Sequence, residues 1–149
     1  MKVSLSLKYG VYIFLGLVSF FFSMHLLGLD HLTELRLFNF FIVSVGIYKL
    51  IEKNIIANKT NNYADNFLQS IKAAFTSILL FTVSLIIYLE FINPSFMTVL
   101  EQSKIWGINM GVMQIAAAIL VEGVASSFMI CFTLMQYFKS IEYSEGSLI

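Results

Sequence analysis

One carboxylate, Glu122, lies almost at the centre of a long apolar stretch, residues 111–138. A carboxylate at the middle of a membrane helix costs about 3 kcal/mol on insertion, while each apolar neighbour returns roughly 0.3 to 0.6 kcal/mol. The apolar residues outweigh the carboxylate, so we expect this stretch to cross a membrane as a helix. There, Glu122 could hold a proton, bind a cation or hydrogen-bond to another helix.

The neighbours of Glu122 predict where its side chain points. Residues that are nearly all polar or small recur at steps of three and four along this stretch, which places them on one face of a helix: Gly111, Gln114, Ala118, Glu122, Ala125, Ser126, Met129, Thr133 and Gln136. Such residues collect where membrane helices touch. We therefore expect this face to lie inside a helix bundle, with Glu122 near hydroxyl groups of similar depth: Ser19, Ser44, Thr82 and Ser84.

The composition of the whole chain indicates a membrane protein. Of its 149 residues, 58% are hydrophobic and 12% are charged, and the mean hydropathy is +0.84. The formal net charge is zero, which argues against nucleic-acid binding. The length leaves room for four spans and no separate soluble domain, so we expect one domain, residues 1–149. The single cysteine, Cys131, excludes an intramolecular disulfide.

The hydropathy pattern predicts an all-α, polytopic fold with four transmembrane helices, at about residues 7–29, 35–51, 71–92 and 111–138. A polar segment, residues 52–70, separates the second and third helices. Asn93 is a suitable N-cap and Pro94 a suitable first helical residue, so we expect one helix to stop and another to start there. Residues 95–106 then fit a short interfacial helix between helices 3 and 4, anchored by Trp106.

The basic residues predict the orientation of these spans. Four spans place both termini on one side, and positive residues concentrate on the cytoplasmic side. Seven lysines fall on the side of the termini and two basic residues on the other: Lys2, Lys8, Lys49, Lys53, Lys59, Lys72 and Lys139 against Arg36 and Lys104. Both termini are therefore expected in the cytoplasm, with the lipid bilayer as the first partner.

Several stretches resemble a family of bacterial membrane proteins known as domain of unknown function 4199. They are the opening Leu7-Lys8-Tyr9-Gly10, the segment from Tyr63 to Ala74, and Tyr88 through Phe91-Ile92-Asn93-Pro94-Ser95-Phe96. The resemblance covers nearly the whole chain. It implies a small inner-membrane protein of Bacteroidetes-type bacteria, with no catalytic residues to carry over. Asn93 departs from the Asp that is frequent before the Pro in the family.

Other candidate chemistry is sparse. His25 and His31 lie near one end of the first span, but a spacing of six does not put two histidines on one helical face, so we do not expect a metal site. The sequence contains no phosphate-binding glycine loop, cysteine pair or Ser-His-Asp set with a plausible pocket. We therefore expect no enzyme activity and no cofactor.

Two functions remain open. The first is a structural or accessory subunit of a membrane assembly, whose polar face on the fourth span packs against its own helices or those of another membrane protein. The alternative is a small homo-oligomeric proton-coupled transporter or channel that uses Glu122. The two differ in the effect of Glu122→Gln, which keeps most hydrogen bonding but removes the titrating group.

Overall fold

A computed structural model describes residues 4–29, 35, 37–59, 61–97, 111–139, 143–144 and 147–148. This part of the chain is helical apart from one small hairpin. It contains four long helices, α1 (Leu5–Leu26), α2 (Leu37–Asn58), α3 (Tyr63–Ile87) and α4 (Val112–Phe138). The last turn of α3 widens into a π-helical segment, Tyr88–Ile92. Two short strands, β1 (Tyr143–Ser144) and β2 (Ser147–Leu148), pair antiparallel.

Local side-chain chemistry fixes the helix ends. The Ser4 hydroxyl accepts a hydrogen bond from the Leu7 N–H at the start of α1. That helix ends at Leu26, and two residues later Gly28 has a φ of +67°, a left-handed conformation that favours glycine. The Asn62 side chain caps α3 in the same way, by accepting from the Asp65 N–H. These polar groups satisfy backbone donors that the first turn of a helix leaves unpaired.

Three helical segments are long and apolar enough to cross a membrane: Leu5–Leu26, Tyr63–Ile92 and Val112–Phe138. The chain is therefore compatible with a small multi-pass membrane protein. The remaining long helix is α2. It is as long as α1, but its second half carries Lys49, Glu52 and Lys53. Crossing by α2 stays a prediction. Most of the predicted interfacial helix, including Trp106, lies outside the described residues.

The helices extend beyond the predicted spans at one end of the bundle. Among the described residues of the predicted polar segment 52–70, all are helical except 59, 61 and 62, because α2 continues to Asn58 and α3 begins at Tyr63. The φ of Lys59, between the two helices, is +52°. Hydrogen bonds between the asparagine side chains of the two helices, described below, explain why this polar sequence stays helical.

The helices pack closely, with α3 contacting α1, α2 and α4, and α2 contacting the other three. Glycines allow the closest approaches. A Cβ atom added to Gly10 of α1 would lie 2.9 Å from the carbonyl oxygen of Ala73 in α3. One added to Gly123 of α4 would lie 3.1 Å from the Ile78 side chain of α3. Small residues at helix contacts are typical of membrane bundles, because backbones can then approach and gain dispersion energy.

Candidate functional site

The helix α4 has two different faces, and the apolar one packs against the rest of the bundle. Its buried residues are mostly apolar: Ile115, Ala116, Ser127, Ile130, Cys131, Met135 and Phe138. The last four of these belong to the main core, together with Ile47 of α2 and Ile13 of α1. This packing fixes the rotation of α4 about its own axis, and with it the direction of the polar face.

The polar face of α4, defined by Gln114, Glu122, Ser126 and Thr133, is turned outward. Glu122, Gln114 and Thr133 are exposed and Ser126 is half-buried. The expectation that the chain's own bundle encloses Glu122 is therefore wrong. Helical periodicity correctly grouped these residues on one face, but it could not tell which face the other three helices would cover, since both faces contain small residues.

Two of the four hydroxyl groups expected near Glu122 do not bond to it in the described structure. Thr82 is buried and its hydroxyl has no hydrogen-bond partner among the described groups. The Ser44 hydroxyl donates instead to the Phe40 carbonyl oxygen of its own helix, at 2.7 Å. Ser19 is exposed and Ser84 half-buried. Thr82 and Ser44 are therefore not hydrogen-bond donors to Glu122.

The outward position determines what the polar face can do. A carboxylate or an amide at the surface of a membrane helix loses hydration unless another protein or water covers it. Small residues such as Ala125, which is exposed on the same face, permit a second helix to approach closely. Exposed apolar residues flank the face, among them Val121, Phe128 and Phe132. The arrangement suits a contact with a polar or small-residue face of another membrane helix.

A second polar cluster joins α2, α3 and α4 at the end of the bundle where α2 stops. The Asn54 amide donates to both Asp65 and Asn66, each at 2.8 Å. Asn66, which is 1% exposed, donates in turn to Asn61 at 2.9 Å. Asn61 donates to the carbonyl oxygen of Phe138, the last residue of α4, at 2.7 Å.

The sequence reasoning missed this asparagine network. The asparagines at residues 54, 58, 61, 62 and 66 are the sequence signal for it, but the sequence predicts only a polar segment between two spans there. Its members instead satisfy one another across three helices, which is how buried amides avoid a desolvation penalty. The network is structural, since its amide donors bond to protein acceptors.

A third cluster lies at the opposite end of the bundle, around Tyr88. The Tyr88 hydroxyl accepts from the Asn93 amide at 3.2 Å and lies 3.4 Å from Nε2 of His25. The rings of Phe21 and Phe96 pack edge to face against Tyr88, with centroids 5.4 and 5.8 Å away. These rings pack directly against one another, so the cluster is part of the bundle's packing.

At this end of the bundle, backbone hydrogen bonds show how the chain leaves the π-helical segment at Asn93 and Pro94, where the sequence predicts a helix junction. The Asn93 N–H donates to the Tyr88 carbonyl oxygen at 2.8 Å, closing the π-helical segment, and the Asn93 carbonyl accepts from the Phe96 N–H at 3.1 Å. The Pro94 carbonyl likewise accepts from the Met97 N–H at 3.1 Å. The chain thus turns at Asn93 and Pro94. His31 lies outside the described residues. Among the described residues, no group of three or more His, Cys, Asp or Glu side chains could hold a metal ion.

Three polar or aromatic clusters thus occur in the bundle: the asparagine network at one end, the Tyr88 cluster at the other end, and the polar face that runs along most of α4. No protein-family model, curated protein sequence or solved structure matches the chain. The resemblance to the family of domain of unknown function 4199 stays a prediction. The candidate functional site is the polar face of α4, because it is the one of the three that the bundle leaves exposed.

Proposed function

We propose that the protein is a structural or accessory subunit of a larger membrane assembly, and that it contacts a helix of another membrane protein through the polar face of α4. One observation carries the proposal. Glu122, Gln114 and Thr133 point away from the three helices of the same chain, although they lie on a helix long and apolar enough to span a membrane.

The magnitudes favour a covered face over one that meets lipid. An acidic residue at the centre of a membrane helix costs on the order of 3 kcal/mol, and a glutamine adds to that cost. Hydrogen bonds across a helix interface return about 0.6 kcal/mol each on average in membrane proteins, and close packing of small residues adds dispersion energy. Several such contacts along α4 would offset most of the cost. Exposure to lipid offsets none of it.

The proposal includes a topology. All four helices cross the membrane, and both termini lie on the cytoplasmic side of a bacterial inner membrane. The crossing of α2 is supported by its length, which equals that of α1, and by its packing against all three other helices. The orientation is supported by the described lysines, which lie at the end of the bundle where α1 and α3 begin. A reporter that works only in the cytoplasm should be active when it is fused after Ile149. Activity of a reporter that works only outside the cytoplasm would contradict this topology.

The test of the subunit function is affinity purification of the tagged protein from its native membrane at native expression. We expect other membrane proteins to co-purify at fixed stoichiometry. Ala125→Leu, which adds bulk to the polar face, should reduce their recovery at least several-fold. Ala117→Leu is the matched control, because Ala117 is also exposed but lies about 80° around the helix from Ala125.

The alternative function gives different results in the same experiment. A homo-oligomeric transporter or channel would be recovered without other proteins, and its copies would bring the Glu122 carboxyl groups together. Glu122→Gln then distinguishes the two functions. It should leave recovery of the assembly nearly unchanged for a subunit, because glutamine still forms hydrogen bonds, but it should abolish proton-coupled flux for a transporter.

A further inference from the structure

The described lysines lie at one end of the bundle, where α1 and α3 begin and where α2 and α4 end; we refer to it as the lysine end. They lie in α1, α2 and α3 or directly after the last residue of α2 and α4, and all six side chains are exposed: Lys8, Lys49, Lys53, Lys59, Lys72 and Lys139. The close approach of Gly10 and Ala73 places Lys8 and Lys72 at similar levels of α1 and α3. The described acidic residues at this end are Glu52 and Asp65.

Neither of these carboxylates neutralises the lysines as a group. Glu52 is occupied by Lys49, whose Nζ atom lies 2.8 Å from Oε2 of Glu52. Asp65 accepts amide hydrogens from Asn54 at 2.8 Å and from Asn58 at 3.3 Å, so its charge is stabilised by the asparagine network. Among the described residues, the other five lysines therefore have no carboxylate within ion-pair distance.

Tyrosines occupy the same end of the bundle. Five of them lie in the first turns of α1 and α3 or the second halves of α2 and α4: Tyr9, Tyr12, Tyr48, Tyr63 and Tyr137. The Lys8 ammonium lies 5.7 Å from the centroid of the Tyr12 ring, and Lys49 is at the same distance from that of Tyr48. Tyrosine rings collect at the level of lipid headgroups, because they are apolar at one end and polar at the other.

We propose that the lysine end binds the headgroups of anionic phospholipids in the adjoining leaflet. The partner follows from the chemistry. Exposed ammonium groups, five of them without an ion-pair partner among the described residues, lie at the depth marked by tyrosines, and the phosphate of an anionic lipid is the negative group that a membrane presents at that depth. The inference does not depend on what covers the polar face of α4, nor on which leaflet adjoins this end.

The test uses the purified full chain reconstituted in phosphatidylcholine bilayers that contain a trace of spin-labelled phosphatidylglycerol or spin-labelled phosphatidylcholine. Electron paramagnetic resonance then measures the fraction of each probe that the protein immobilises. One basic residue near an anionic surface is worth at most about fivefold in partitioning. Averaged over the lipid boundary, we expect a roughly two- to fivefold preference for phosphatidylglycerol. About 1 M salt should abolish it, since the Debye length falls to about 3 Å.

Two variants make the test specific. Replacing four lysines by glutamine (Lys53→Gln, Lys59→Gln, Lys72→Gln and Lys139→Gln) should reduce the preference to about one. The double variant Lys49→Gln, Glu52→Gln is the matched control, because it removes a pair and leaves the net charge unchanged. It should keep the wild-type preference. If the fourfold variant lost its helical circular dichroism, the milder double variant Lys53→Gln, Lys139→Gln should still lower the preference.

Three outcomes would overturn the proposal. The first is equal immobilisation of the two probes by the wild-type protein. The second is an unchanged preference after the four lysines are replaced in a folded protein. The third is displacement of the lipid probe by soluble glycerol phosphate, which would indicate a site for a free phosphate compound instead of a lipid.

Discussion

Replacing Asn66 by alanine should destabilise the protein, because this buried side chain links Asn54 of α2 to Asn61. The Asn66 side chain is 1% exposed and makes two hydrogen bonds, accepting from Asn54 at 2.8 Å and donating to Asn61 at 2.9 Å. Each such bond contributes about 0.5 to 1.5 kcal/mol, and the space left by a buried side chain adds to the loss. We expect Asn66→Ala to lower the free energy of unfolding by about 2 to 3 kcal/mol.

The assay is chemical or thermal unfolding in detergent micelles, followed by circular dichroism. Asn58→Ala serves as the control, because Asn58 is exposed and its amide makes longer bonds, 3.2 Å to Asn54 and 3.3 Å to Asp65. It should cost about 0.5 kcal/mol or less. If the two variants unfolded at the same denaturant concentration, the asparagine network would not join the helices as described, and the account of this end of the bundle would be refuted.

Three further substitutions test the packing. Gly10→Ala places a Cβ atom 2.9 Å from the Ala73 carbonyl oxygen, so α1 and α3 must separate. The free energy of unfolding should fall by about 1 to 3 kcal/mol. Unchanged stability would contradict the close approach. Thr82→Val removes a buried hydroxyl without a described partner and should leave stability unchanged or raise it by up to about 1 kcal/mol, whereas a clear loss would reveal a hydrogen bond. Tyr88→Phe removes the acceptor of the Asn93 amide and should cost about 1 kcal/mol, with the circular dichroism of the native state retained; no cost would mean that this bond is not formed in the membrane.

The helices were predictable from sequence because hydropathy and length act locally. The predicted spans 7–29 and 111–138 correspond to α1 and α4, although α1 begins at Leu5 and ends at Leu26, and the periodicity of α4 separated its two faces correctly. Two features were not predictable in the same way. The extension of α2 to Asn58 depends on partners in α3, and the π-helical turn at Tyr88–Ile92 accompanies the ring packing of His25, Phe21 and Phe96.

The orientation of Glu122 was unpredictable for a different reason. A membrane helix can bury either an apolar or a polar face, because lipid does not drive apolar residues inward as water does. In α4, the shape of the packing contacts determines which face is buried. Gly123 fits against Ile78, and Phe138 meets the ring of Tyr48 at a centroid distance of 5.0 Å. Such contacts involve residues far apart in the chain, which a helical pattern does not reveal.

The central claim is that the polar face of α4 touches another protein, and cross-linking within the native membrane tests it most directly. A photoreactive amino acid replaces Ala125 on that face or, as control, Ala117 beside it, at native expression. We predict a discrete adduct between this chain and another membrane protein after illumination at position 125, and little or none at position 117. Adducts only between copies of this chain, or adducts of equal strength at both positions, would contradict the proposed subunit function.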